Sequence, residues 1–146
     1  MGAQALQAHM QEIASRVEQL ETAFAEAAEL FRDAAQAHFD SGGSGGWPPW
    51  APSTARRASH QLMIDEGDLI GSLTDQGHAG HLMKIDGSTL TIGTRWPVAS
   101  IHKSTSGRKL PQRDPMPPIE QLRQPWLELL NAHLLGTSGT SVRLGL

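Results

Sequence analysis

The chain of 146 residues has no Cys and no Tyr, and its few aromatic residues are four Trp and three Phe. Missing Cys excludes disulfide frameworks, thiolate zinc sites and thiol nucleophiles, and leaves the redox compartment open. No window reaches the roughly 18–20 apolar residues that cross a bilayer, and mean hydropathy is -0.33. The opening Met1–Gln7 lacks the basic and apolar regions of a secretory signal, so a soluble protein not exported by that route is expected. The length fits one domain and excludes a two-domain enzyme.

Charge is scarce overall, a formal net of -3, but unevenly placed. Residues 1–40 carry seven acids against Arg16 and Arg32, a local balance of -5. Residues 95–113 carry Arg95, Lys103, Arg108, Lys109 and Arg113 with no acid, a balance of +5. Opposite fields of this kind steer ends of one chain, or copies of it, together. A solvated acidic helix and a solvated basic loop account for the same numbers.

The strongest periodic signal lies at the start. Leu6, Met10, Ile13, Val17, Leu20, Phe24, Ala27, Phe31 and Ala34 alternate spacings of four and three. That is an a/d seam over about four heptads, and it predicts a helix over residues 3–39. Such a helix is about 55 Å long, more than the roughly 40 Å diameter of a globule of this length, so it must bend or overhang and find a partner. The weakening of the seam to Ala27 and Ala34 predicts close packing on a sheet or a neighbouring subunit.

A Gly/Pro-rich loop, 41–53, follows. Gly42, Gly43, Gly45 and Gly46 break the helix, and Trp47-Pro48-Pro49-Trp50-Ala51-Pro52 continues as a stiff segment with two indoles. Ser53 or Thr54 is expected to cap a short helix running towards Leu62. From Leu69 to Thr94 the pattern predicts short strands, with residues 80–85 and 89–94 paired as a hairpin around Asp86-Gly87. Trp96–His102 then leads into a basic loop, 103–117, expected to be mobile. The last helix falls within 118–135. Pro125 predicts a short turn and a helix that starts near Gln124, burying Trp126, Leu127, Leu129, Leu130 and Leu134. Residues 136–146 read as a flexible tail.

Chemical motifs are weak. Gly42-Gly43-Ser44-Gly45-Gly46 matches G-x-S-x-G letter for letter, but the serine elbow needs a strand before it and a helix after it, and here a long helix precedes a Pro-rich stretch. His78 and His81 stand three apart without a companion ligand set, while His9, His38, His60 and His133 read as surface or cap residues. Asp65, Glu66 and Asp68 read as a polar turn before a strand. No P-loop or dinucleotide fingerprint occurs. A protein that is not an enzyme, and that uses no metal or cofactor, is expected.

Four stretches carry a resemblance in their order and spacing. They are Trp50-Ala51-Pro52-Ser53-Thr54, then Glu66-Gly67-Asp68-Leu69-Ile70-Gly71-Ser72-Leu73, then Trp96-Pro97-Val98-Ala99-Ser100-Ile101-His102-Lys103, then Leu110-Pro111-Gln112-Arg113. Together with the N-terminal helix they resemble the phage virion morphogenesis, or tail-completion, family of Mu-like and P2-like tailed phages. Typical members show a W-x-P-L-like stretch with a following Thr, T-G-x-L-x-x-S, Y-A-x-x-H-Q-x-G, and I-P-A-R-x-F before the last helix. This chain has Trp96 for the Tyr, and Asp114-Pro115-Met116-Pro117 where the anchor after the Arg belongs, leaving Met116 to fill that pocket. The resemblance spans residues 5–135.

It implies an α+β domain, with a long N-terminal helix and a C-terminal helix packed on a small, mostly antiparallel sheet. It also implies a structural virion protein, a tail-completion or head-tail joining (neck) subunit forming a ring, expected to be a hexamer. Such a subunit is made in the host bacterial cytoplasm and ends in the virion. Its partners would be itself, other neck and tail or tail-terminator proteins, and DNA passing through the channel, but no membrane. Trp47, Trp50, Arg95, Lys103, Arg108, Lys109 and Arg113 are the expected interface residues; Thr54, Leu69, Ser72, Leu73, Trp96, His102 and Pro111 are the expected framework. The alternative is a DNA-contacting module that uses the basic segment 95–113.

Overall fold

The computed structural model describes residues 2–104 and 111–136. Six helices and one two-stranded antiparallel sheet make an α+β fold, with helices at both ends of the described chain. The seam is not one helix. α1 (Gly2–Glu18) and α2 (Glu21–Asp40) meet at a break without Gly or Pro. There the Gln19 N–H turns back to Arg16 O (3.1 Å), and the same carbonyl lies 3.1 Å from the His133 Nε2 of α6 (Ile119–Leu135). The break lets Leu20, Ala23 and Phe24 turn into a small cluster with Ile85, Leu90, Leu130 and Leu134.

α2 is the spine. Phe31, Ala35 and Phe39 join Leu69, Leu73 and Leu122 in the main core. Its alanines bring α6 near enough for the Trp126 indole N–H to donate to Ala27 O at 3.0 Å, so the weak part of the seam marks a helix rather than a sheet or neighbour. Arg32, buried on the same helix, pairs with Glu29 and reaches His81 and the Met83 sulfur.

The hairpin is β1 (His81–Asp86) with β2 (Thr89–Thr94), in register Ile85 with Leu90 and Met83 with Ile92. Those four are half-buried on one face while Lys84, Asp86, Thr89 and Thr91 are exposed on the other, the period-two pattern of a one-sided sheet. Gly87 opens the tight turn at φ +56°, a backbone that favours glycine.

Three local expectations change. Residues Asp68–Thr74 form a helix, α4, rather than a strand, because Leu69, Ser72 and Leu73 share one helical face and all are buried. The short helix near Thr54, α3, spans only Pro52–Ala55, with Pro52 rather than a Ser or Thr cap organising its start. Pro97 likewise starts an unforeseen helix, α5 (Pro97–Lys103), so Lys103 ends a helix instead of opening a loop.

α6 begins at Ile119 and takes Pro125 into its second turn. The proline is buried there, so packing offsets the lost backbone hydrogen bond. Leu122 replaces Leu127 in the buried stripe, and Leu127 is half exposed. The expected tail after Gly136 lies outside the described residues.

Candidate functional site

The four stretches that carry the resemblance converge on one recess of about 400 Å³. Trp50 comes from the first, Gly67, Asp68 and Leu69 from the second, Trp96 and His102 from the third, and Arg113 from the fourth. Hydrogen bonds join them in pairs. The Ser72 hydroxyl donates to Leu69 O (2.7 Å) and lies 2.6 Å from the Thr94 hydroxyl, which accepts the Trp96 N–H at 2.9 Å. This chain of donors fixes α4 to the start of α5. Ser72 thus bonds both within its own helix and across to Thr94.

Arg113 ties the fourth stretch to the first. Its Nε donates to Pro48 O (2.7 Å) and its Nη2 to Pro49 O (3.0 Å), while its backbone N–H meets His102 O at 3.1 Å. The side chain is only 7% exposed, and burial lowers the guanidinium below its ordinary value. Prolines lack an N–H but keep a carbonyl, and the planar fork of Arg serves two such acceptors at once. Arg113 thus turns its Nε and Nη2 into the fold and is a strut rather than an exposed cation.

Trp47 is also internal. Its indole N–H donates to Asp114 O (2.9 Å), and its ring meets His38 and Phe39 edge-on at 5.1 Å each. Gly43, at φ +72°, leaves room for that ring, because a Cβ there would overlap the indole. Trp50 is half-buried and edge-on to His60 at 5.3 Å. Trp96 is half-buried on the main core and edge-on to His78 at 5.5 Å. Met116 packs on the same core, as its place after Arg113 suggested.

Arg95, Lys103, Thr54 and Pro111 are exposed, and Leu69 and Leu73 are buried. Arg108 and Lys109 lie outside the described residues, as do the other residues of the 105–110 part of the basic loop.

His38 departs from the surface role expected of it. It is 5% exposed; its Nε2 faces Asp114 O at 2.9 Å and its Nδ1 faces the Ser44 hydroxyl at 3.3 Å. A serine beside a histidine invites a nucleophilic reading, and Ser44 does sit at φ +59°. However, the backbone N–H groups of residues 41–47 all donate to Ala37 O, His38 O, Phe39 O or acceptors within the loop. The loop holds none in reserve to stabilise an oxyanion. Ser44 also accepts from Gln121 Nε2 at 3.2 Å, so the pair fastens α2 to α6.

His78 and His81 point to different partners, Asp68 at 3.2 Å and Ser72 O at 2.9 Å. Among the described residues no group of three potential ligands could hold a metal ion, and no helix is long and apolar enough to cross a membrane. No family model, curated protein or solved structure matches the chain.

Proposed function

We propose that the chain is a structural, non-enzymatic subunit of a tailed phage, a tail-completion or head-tail joining protein that works as a ring of copies in the virion. The observation that carries this reading is α1, which buries none of its residues and presents Leu6 and Met10, each 61% exposed, and Val17 along one stripe. Isolated apolar side chains are ordinary on a surface, but a continuous stripe on a projecting helix requires a partner. The meeting of all four motif stretches at one recess supports the same assignment, since it gives their order in sequence a common structural purpose. Ring size, expected to be six, rests on the resemblance.

The rival DNA-contact reading is weakened by Arg113, which Pro48 and Pro49 withdraw from the basic set. Light scattering of the purified protein, alone and with candidate neck and tail proteins, followed by electron microscopy, tests the proposal. Rings or stable joint complexes are expected. A chain that stays monomeric and joins neither partner would refute it, and tight duplex binding that falls steeply with salt would favour the rival.

A further inference from the structure

Among the described residues, a second apolar surface is left open at the other end of α6. A groove of about 670 Å³ runs between α2, the 111–118 segment and the start of α6, lined by Trp47, Ile92, Met116, Ile119 and Trp126 with Lys103 at its edge. Ile119 is 48% exposed there. Among the described residues, no part of α1 lines this groove. α1 is fastened instead at the opposite end of α6, where Arg16 donates to Leu134 O at 3.1 Å. About 20 Å of helix axis separates Ile119 from Leu134.

We infer that the groove receives α1 of a second copy of this chain, Leu6 and Met10 entering between Ile119, Met116 and Trp126. This rests on the ring reading above and gives it a joint. Two observations select that occupant. Among the described residues the stripe and the groove are both apolar and both open, and they sit at opposite ends of one helix. The seam of α1 continues the one α2 already buries against α6, so the same side-chain spacing meets the same helix type in the next copy. Two different surfaces joined in this way make a head-to-tail interface, which closes into a ring when its rotation permits.

The Cys-free chain allows a direct test. Met10→Cys and Ile119→Cys are made in separate full-length chains and treated with a short thiol crosslinker, singly and mixed. A crosslinked pair is expected only in the mixture. A dimer from Met10→Cys alone means that α1 pairs with α1, and overturns the inference. Light scattering supplies a second readout. Met10→Asp and Ile119→Asp should each be monomeric with unchanged circular dichroism, and their mixture should give a one-to-one dimer, since each retains the surface the other lacks. Assemblies that persist in both Asp variants, without crosslinks in the Cys mixture, overturn the joint but leave the ring reading standing. A wild-type chain that is monomeric under every condition sinks both.

Discussion

The apolar seam keeps its spacing through α1 and α2 alike, yet α2 buries Phe24, Ala27 and Phe31 while α1 leaves Leu6, Met10 and Val17 open. Periodicity states that a face needs cover; it does not state whose. For α2 the cover comes from α4, the hairpin and α6 within the chain. For α1, among the described residues, hydrogen bonds to α6 fasten the last turn, through Arg16 and His133. Stability of the folded chain therefore resides in α2 and its neighbours, and the exposed stripe of α1 is the surface that the proposed association would use.

Substitutions can break this contrast in graded steps. Phe31→Ala, at a position 3% exposed, should cost about 3–5 kcal/mol in urea unfolding of the subunit; a loss below about 1 kcal/mol would place the core elsewhere. Arg113→Met leaves two proline carbonyls without their donors and should cost about 1–3 kcal/mol. Arg113→Lys should recover only part of that, because an ammonium lacks the planar fork. Trp126→Phe keeps most of the ring but removes the bond to Ala27 O, a loss near 1 kcal/mol readable as a lower urea midpoint. Met10→Ala should change the unfolding free energy of the isolated subunit by no more than about 0.5 kcal/mol, while lowering the mass of assemblies measured by light scattering. A Met10 effect on the subunit as large as that of Phe31 would erase the distinction between the two helices.

Legibility in the sequence followed the range of the interactions. The hairpin was readable because Asp86-Gly87 and the alternation on either side are local features. α2 and the Gly-rich stop were readable for the same reason. α5 was hidden because seven residues hold too few turns for a period to emerge, and only Pro97 at its start hinted at it. α4 shows how a short apolar run is ambiguous: Leu69, Ile70 and Leu73 suit a strand until Ser72 and Leu73 are seen to share a buried face.

The candidate site was less accessible. The order of the motif stretches indicated that they belong together, but the role of Arg113 depends on carbonyls more than sixty residues earlier. A positive residue in a basic run looks like surface until those acceptors are placed. His38 is a similar case, since its partner Asp114 O belongs to a backbone whose path no local pattern specifies.

The break at Gln19 also has a mechanical meaning. α1 is about 25 Å long and is held at one end, so it behaves as a lever whose pivot lies outside the main core. A tilt of about 10° at the break carries the far end of α1 through about 4 Å, by the length that the helical rise sets, without disturbing Phe31 or Leu73. Copies joined as proposed through such an arm would accommodate a change in spacing, or in the diameter of a mating part, by angle alone. Under that proposal, compliance and rigidity fall to different stretches of one seam.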